Sequence, residues 1–230
     1  AIGQRAAQRT VARLGARRIP TTRAPVLYVP ELARGLLGHF LGAIRGGSQY
    51  RRSSFLLDAA GEQIFPAFFS MSERPHLLGA LGSAPFDGEG CRTADRELVR
   101  AGVLDGYVLD AYSARKLGLR TTGNAGGIHN LIVHPGPGDF EALLRQMGRG
   151  LVVTELMGQG VNGVTGDYSR GASGFWVENG EIVHPVNEVT IAGNLRQMYR
   201  DLVAVGSDVD LRGSVRTGSI LVAEMTIAGD

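Results

Sequence analysis

The chain has 230 residues, of which 43% are hydrophobic and 20% are charged, which is enough apolar material for a full core. It contains no run of about 18 apolar residues that could span a bilayer and no series typical of a signal peptide. Its one cysteine, Cys91, excludes an internal disulfide and a thiolate metal cluster. We therefore expect a globular, cytoplasmic protein without a membrane segment.

The net charge of +2 is unevenly distributed along the chain. Residues 1–52 carry ten arginines and one acid, Glu31, so this part has a charge of +9 and the rest has −7. A first helix is predicted over residues 1–16, and a row of arginines at i, i+4 spacing runs along it and one residue past its end. The members of this row are Arg5, Arg9, Arg13 and Arg17.

The arginine row has three possible roles. It can face solvent or an acidic partner, it can pair with the acidic remainder of the chain, or it can meet the phosphates of a nucleic acid. Nucleic-acid binding is the least favoured, because neither aromatic residues nor a known DNA-reading motif accompany the row.

A short strand is predicted at residues 26–29, and a helix from Glu31 to Gly47 follows it. Apolar residues at helical spacing form one stripe of this helix, while Gly35, Gly38 and Gly42 lie on roughly the opposite face. His39 lies between the two faces. Because no second ligand stands one turn away, a packed or hydrogen-bonded histidine is favoured over a metal ligand.

The middle of the chain is the least regular. Residues 46–90 are interrupted by Gly, Pro and Ser and predict only short strands or loops. Residues 105–118 predict a strand and one or two helical turns, and 121–127 a loop before a strand at 128–134. Asp139 is predicted to cap a helix that ends near Met147.

The last third predicts a buried strand at 151–156, a long glycine-rich loop at 157–174 and a hairpin at 175–185. The pair Asn179-Gly180 favours a two-residue type I′ turn in that hairpin. A helix from Asn194 to about Val205 and a final strand at 218–227 follow. Helices and strands interleave without regular βαβ units, which indicates an α+β fold with a mixed, largely antiparallel sheet and flanking helices.

Residue patterns alone give no catalytic centre. His129 and His134 are five apart on a predicted strand and would leave it on opposite faces, and neither His76 nor His184 has a partner at ligand spacing. Residues 171–174, Gly-Ala-Ser-Gly, do not form a nucleophile elbow. The glycine-rich loop fits either contact with an extended peptide or neighbouring subunit, or a purely structural role.

A long block of the sequence resembles one known family. Residues 151–195, LVVTELMGQGVNGVTGDYSRGASGFWVENGEIVHPVNEVTIAGNL, are similar to the C-terminal signature of PmbA (TldE) proteins in the TldD/PmbA family, once labelled modulators of DNA gyrase. The likeness continues through RKLGLRTTGNAGGIHN upstream and VAVGSDVDLRGSVRTGSILVAEMTIAG downstream. Full-length members are roughly twice as long, so the resemblance implies a C-terminal half. Residues 1–25 would be a linking helix from a missing N-terminal domain, and 26–230 the TldD/PmbA C-terminal domain.

The resemblance implies one subunit of a heterodimeric metallopeptidase. In the family, the TldD subunit carries a zinc helix of the form His-Glu-x-x-x-His and a later cysteine ligand, and the PmbA subunit helps to enclose the chamber. Implied substrates are unfolded or flexible peptides, including peptide-antibiotic precursors and labile antitoxins, which can be held by added strand pairing.

The zinc motif is degenerate in this chain. Aligned on Arg51-Arg52, its two histidine positions fall on Gly38 and Ala43, its glutamate on His39, and the later cysteine on Thr217. Glycine and alanine offer no ligand atoms, so we expect no metal here and zinc only in a TldD-like partner. The glycine face of the helix further suggests close packing.

These resemblances lead to a non-catalytic, metal-free subunit that handles flexible peptides with a TldD-like partner, and that can form a homodimer when alone. A gyrase-linked or nucleic-acid-binding regulatory module is the alternative. Polar residues within family-like motifs are the candidates for substrate or partner contact; they are Arg51, Arg52, Asn124, His129, Glu155, Asp167, Ser169 and Arg170.

Overall fold

The computed structural model describes residues 2–229. The helices are α1 (Ile2–Val11), α2 (Pro30–Ala43), α3 (Gly46–Tyr50), α4 (Ala111–Leu117), α5 (Phe140–Met147) and α6 (Leu195–Arg200). The first strands are β1 (Thr22–Tyr28), β2 (Met71–Glu73), β3 (Arg96–Arg100), β4 (Val103–Leu104) and β5 (Leu131–Val133). The later strands are β6 (Gly150–Met157), β7 (Asp167–Glu178), β8 (Glu181–Asn194), β9 (Leu202–Val205), β10 (Val215–Arg216) and β11 (Ile220–Ala228). The predicted α+β class with a mixed, largely antiparallel sheet is confirmed.

Five strands of the larger sheet close into a ring. Around it, β1 pairs with β6, β6 with β7, β7 with β8, β8 with β11, and β11 again with β1. Only the β1–β6 pairing is parallel. The first part of β11 also pairs with β9, which extends the sheet beyond the ring.

The smaller sheet has the order β10-β5-β2-β3-β4. Its β10–β5 pairing is parallel and the others are antiparallel. The strands are short, with two to five residues each. Long irregular connections therefore make up much of this half, as the broken sequence between residues 46 and 90 predicted.

Alternation along β1 explains why Val26, Leu27 and Tyr28 are all buried. Val26 and Tyr28 face the main core, whereas Leu27 faces a second cluster in which α5 contributes Leu144 and its neighbours. The ring is thus covered on both sides, and α5 lies outside it.

The helix α2 packs its apolar stripe into the main core. Leu36, Leu37 and Phe40 are at most 2% exposed, and the buried Tyr199 hydroxyl donates a hydrogen bond of 2.9 Å to the Leu36 carbonyl. The Phe40 ring also meets Phe65 edge to face, with centroids 5.1 Å apart. These contacts fix the orientation of α2, and with it the direction in which its other face points.

Several predicted boundaries are wrong. The first helix ends at Val11 rather than at residue 16, and Ala1 lies outside the described residues, as does Asp230. The helix from Glu31 to Gly47 is divided into α2 and α3. The predicted strand at 128–134 contains only β5, and the second half of the predicted helix 194–205 is β9, because those residues pair with β11.

The glycine-rich loop is shorter than predicted, because β7 already begins at Asp167. A Cβ atom at Gly174 would lie 1.8 Å from the carbonyl oxygen of Val152 on β6, so only glycine allows the two backbones this approach. In contrast, the caps and turns were predicted correctly. Asp139 accepts a hydrogen bond from the backbone N–H of Ala142, and Asn179-Gly180 has the positive φ angles of a type I′ turn.

Candidate functional site

One face of α2 is open along its row of glycines. A Cβ atom built at Gly35, Gly38 or Gly42 would meet nothing within 4 Å outside the helix itself. The expected close packing of this face is therefore wrong. The apolar stripe on the other side of α2 makes the core contacts, which leaves the glycine face free.

The glycine face forms one wall of a groove of about 400 Å³, the glycine groove. Arg170 on β7 and Gln159 in the loop before it line the groove as well. Val161 adds apolar surface, and the buried side chains of Phe55 and Leu195 lie at its floor. The groove thus joins bare helix backbone, one guanidinium and a few apolar side chains. Such a surface suits a ligand that combines a main chain with mixed side chains.

His39 also lines the glycine groove, and its ring approaches Tyr168 edge to face with centroids 6.0 Å apart. Burial and then the positive charge of Arg170 lower the pKa of His39 below its ordinary value. The imidazole is therefore neutral at neutral pH. A packed histidine at the edge of the core is what the sequence favoured.

The zinc-motif positions do not fit a zinc ion. Gly38 and Ala43 offer no donor atoms, and the nearby Arg170 disfavours a cation beside His39. Thr217 is buried, and its hydroxyl donates to the carbonyl of Gly218. One imidazole and a neighbouring guanidinium do not make the three-ligand set of a catalytic zinc site.

A second groove, of about 290 Å³, lies next to the first, and Ser48 lines both. We call it the arginine groove, because Arg45 and Arg51 line it. A Cβ atom at Gly127 would lie 3.1 Å from Arg45 Nη2, and one at Gly47 would lie 3.3 Å from Arg51 Nη2. The two glycines therefore leave the room in which the guanidiniums lie.

Arg51 is further positioned by its neighbour Tyr50. Its guanidinium carbon lies 5.2 Å from the centre of the Tyr50 ring, and Nη1 donates a hydrogen bond of 3.1 Å to the Tyr50 hydroxyl. The carboxylate in this groove is Asp110, which caps α4 by accepting from the backbone N–H and the hydroxyl of Ser113. Those two bonds lower the pKa of Asp110.

A buried polar network supports the loop that forms the far wall of the arginine groove. Glu73 has a side chain only 2% exposed, and its two oxygens accept bonds of 2.8 Å from Arg96 and 2.7 Å from Asn124. The backbone N–H of His129 donates to the same carboxylate at 2.9 Å, and the His129 Nδ1 lies 2.9 Å from it. Arg96 also donates to Asn124.

Burial alone would raise the pKa of Glu73, but Arg96 and the His129 donors outweigh burial and hold it below its ordinary value. The carboxylate is therefore ionised and fully paired. Asn124 itself lines the arginine groove, whereas His129 lies behind it. The network fixes the loop of residues 124–129 rather than presenting a free acid or base.

Of the eight predicted contact residues, Arg51, Asn124 and Arg170 line the two grooves. The others lie elsewhere. Arg52 has a positive φ angle and pairs with the exposed Asp58. Glu155 pairs with Arg13, which follows α1. Asp167 accepts a hydrogen bond from the Thr165 hydroxyl. Ser169 is exposed on β7, and Asp167 does not pair with Arg170.

Arg5, Arg9 and Arg13 of the predicted arginine row line one further groove, of about 910 Å³, together with Glu31 and Asp210, whereas Arg17 does not line it. Arg13 and Arg17 both lie beyond the end of α1, and Arg9 pairs with Glu31 and Arg13 with Glu155. At least two members of the row are therefore engaged with acids of the same chain. For these two arginines this corresponds to the internal-pairing role.

Other groups in the described part of the chain give no competing centre. Side chains of Asp87, Glu89 and Cys91 converge, but Asp87 accepts three backbone N–H bonds and Glu89 accepts one. His76 and His134 bond separately to threonine and serine hydroxyls. Within residues 2–229, no helix combines the length and hydrophobicity that crossing a bilayer requires.

Sequence reasoning missed Glu73, Arg96 and Arg45. Glu73 and Arg96 are paired residues of β2 and β3, and their partners at 124 and 129 are about 50 and 30 residues away. Nothing in a local pattern marks such a network. Arg45 directly precedes the Gly46-Gly47 pair. A cationic side chain next to two glycines was the only local feature that could have indicated Arg45 as a binding residue.

Comparison with known proteins covers nearly the whole chain. Residues 21–229 match the family described as the PmbA/TldA metallopeptidase C-terminal domain. The chain is 55% identical over 228 residues to the metalloprotease PmbA of Escherichia coli O157:H7, which covers 99% of this chain and 51% of that protein. The chain thus spans about half the length of the curated relatives it matches.

Two solved structures have the same fold. One is a crystal structure from Bacteroides thetaiotaomicron named as a candidate modulator of DNA gyrase, with a TM-score of 0.94 and 32% identity over 99% of this chain and 52% of that one. The other is TldE from Thermococcus kodakarensis, with a TM-score of 0.86 and 24% identity over 98% of this chain and 55% of that one. At 24% identity the second likeness concerns the fold alone.

Proposed function

Because the chain belongs to the PmbA/TldA metallopeptidase family, we propose that it is the C-terminal half of a PmbA/TldE-type subunit without zinc of its own. In this role it lines the substrate path of a two-subunit peptidase, and a TldD-like partner supplies the metal. The relative at 55% identity is named a metalloprotease. In our proposal the chain belongs to a metallopeptidase family but does not itself bind the catalytic zinc.

The observation that carries the proposal is the open glycine face of α2. At the motif positions, Gly38 and Ala43 present no ligand atoms. The guanidinium of Arg170 lies in the same groove as His39 and disfavours a cation there. The space beside the helix is a groove instead of a ring of converging donors. A helix that cannot bind zinc can still line the path of the peptide substrate.

The substrates we propose are unfolded or flexible peptides. The glycine groove and the arginine groove share Ser48 and are partly lined by backbone, and in this proposal an extended chain occupies both without a specific folded shape. Processing of peptide precursors and turnover of labile proteins are both compatible with such a path.

We further propose that residues 1–25 connect this domain to an N-terminal domain. The family match begins at residue 21, and no described residue of α1 is buried. A helix that packs so little against the domain suits a connecting segment.

Metal analysis combined with a cleavage assay tests the proposed function. The chain is purified alone and together with the TldD-like protein of the same organism, and zinc is measured in both samples. We expect less than about 0.1 zinc per chain alone and about one zinc per pair together. Cleavage of an unfolded peptide is expected only from the pair. Stoichiometric zinc in the chain alone, with cleavage, would contradict the proposal.

A further inference from the structure

The two grooves carry an excess of positive charge. Arg170 lines the glycine groove, and Arg45 and Arg51 line the arginine groove. None of the ion pairs formed among residues 2–229 includes any of these three arginines. By contrast, arginines such as Arg96 and Arg212 are each bound to a carboxylate of this chain.

The one carboxylate that lines either groove, Asp110, offsets this charge only in part. Both hydrogen bonds that Asp110 accepts from Ser113 belong to the cap of α4. His39 is neutral at neutral pH and adds nothing to the balance. The two grooves therefore hold three positive charges against one negative charge that already serves another purpose.

Each guanidinium keeps donors available for a ligand. Arg170 uses its Nε to donate to the Met157 carbonyl at 3.1 Å, and Arg51 uses Nη1 toward the Tyr50 hydroxyl. The remaining N–H groups suit the two oxygens of a carboxylate, since a guanidinium can bind both at once. The apolar side chains Phe55, Val161 and Leu195 lie near Arg170 and not near the arginine groove.

From this arrangement we propose that the two grooves together bind a peptide segment through its carboxylates, with an apolar side chain at the Arg170 end. The carboxylates can come from Asp or Glu side chains or from a C-terminus. A main chain with alternating side chains fits the backbone-lined wall at Gly38 and Gly42, where bulk is absent, and at Gly47 it would meet the Arg51 guanidinium. The interpretation of carboxylate binding as a substrate preference rests on the proposed function. The binding itself involves residues of this chain only and can be measured without a partner.

Four acetylated decapeptides, measured by isothermal titration calorimetry with the chain alone, test the proposal. They share one Leu and a background of Ala and Ser, carry three Glu or three Gln at the same positions, and end in a free acid or an amide. If side chains supply the carboxylates, the Glu amide binds about tenfold or more tightly than the Gln amide. If the C-terminus supplies them, the Gln acid exceeds the Gln amide by a similar factor.

Variants locate the binding. We expect Arg51→Gln and Arg170→Gln each to weaken the favoured peptide by about tenfold, and Arg170→Lys to weaken it less, because lysine keeps the charge but loses the two-pronged geometry. Arg100→Gln, an exposed arginine of β3 outside both grooves, is the matched control and should change affinity by less than about twofold. Thermal unfolding of each variant checks that it is folded.

Several results would overturn the proposal. These are equal affinity for all four peptides, no measurable binding of any, unchanged binding by both Gln variants, or tighter binding of a single-stranded decanucleotide than of the favoured peptide. A metal-free chain that supports cleavage with its partner but shows no carboxylate preference would refute only this inference. Zinc in the isolated chain together with carboxylate binding would refute only the proposed function.

Discussion

At the scale of single residues, the buried carboxylate of Glu73 determines how the wall of the arginine groove is held. It accepts hydrogen bonds from Arg96, Asn124 and His129, which are distant in sequence. The side chain of Arg96 is itself only 20% exposed. Removal of the negative charge would leave a guanidinium without its partner. Such losses are larger than those at the surface.

We therefore expect Glu73→Gln to lower the free energy of unfolding by about 3–5 kcal/mol. The matched control is Glu224→Gln, which breaks the exposed Arg23–Glu224 pair and should cost no more than about 1 kcal/mol. Urea denaturation of both variants provides the comparison. Equal losses would mean that the Glu73 network contributes no more than a surface pair.

Asp210 gives a pH-dependent prediction. Its hydrogen bonds with Arg212, together with Arg34, lower the pKa of Asp210 to about 2 from an ordinary value of 3.8. Because the folded pKa is the lower one, the stabilisation is complete above about pH 4 to 5 and is lost as the pH falls from 3.8 toward 2. At pH 7, Asp210→Asn should cost roughly 1–3 kcal/mol, as expected for a hydrogen bond to a charged group.

The cost of Asp210→Asn should shrink steadily between pH 4 and pH 3. Denaturant titrations at pH 7, 4 and 3 measure this change for the variant and its parent. A stability difference that stays constant over this range would show that the carboxylate charge is not what stabilises the folded chain.

At the scale of elements, α2 combines a tightly packed stripe with an unoccupied face. Glycine in the interior of a helix costs about 0.5–1 kcal/mol relative to alanine, and three such residues occur here with no neighbour that requires them. Selection for stability alone would favour alanine at these positions. Space for a ligand is a reason to keep glycine at those of the three that line the groove.

Alanine substitutions separate the two effects. Gly35→Ala, Gly38→Ala and Gly42→Ala should each stabilise the chain by about 0.5–1 kcal/mol. Only Gly38 and Gly42 line the groove, so only those two substitutions should weaken the favoured peptide of the binding assay. Thermal unfolding and calorimetry provide the two measurements, and destabilisation by all three variants would indicate that the face is covered.

The element scale also shows what the sequence could and could not predict. Local rules sufficed for the Asp139 cap and for the turn at Asn179-Gly180, because both depend on neighbouring backbone groups. They failed at β7, where Gly171 and Gly174 indicated a loop although the partner strand requires Gly174. They failed again at β9, whose conformation depends on pairing with β11. The grooves combine residues from distant segments. Arg51, Asn124 and Arg170, and the degenerate motif positions Gly38, His39 and Ala43, were anticipated from the family resemblance.

At the scale of the whole molecule, the chain is a ring of strands and a smaller sheet, with α1 attached at the surface. Ion pairs join α1 and the turn after it to the domain through Arg9 and Arg13, and no described residue of α1 is buried. Surface pairs of this kind contribute about 0–1 kcal/mol each. The first segment should therefore contribute little to folding.

Truncation tests that expectation. Removal of residues 1–16, which keeps the backbone contact of Arg17 with Pro185 and Asn187, should lower the free energy of unfolding by less than about 2 kcal/mol. Removal of residues 220–230 is the contrasting deletion and should abolish folding, because β11 pairs with β1, β8 and β9. Circular dichroism with urea denaturation would distinguish the two. Unfolding by the first truncation would mean that α1 is part of the domain.

The closed ring affects how this chain behaves among unfolded polypeptides. Each ring strand has a neighbour on either side along part of its length, and the strands left at the sheet margins, β4, β9 and β10, have only two to four residues. Unfolded polypeptides can aggregate by pairing with long unpaired edge strands, and short edge strands offer few backbone groups for such pairing. If the chain meets unfolded peptides as we propose, we expect this arrangement to limit aggregation at its strand edges.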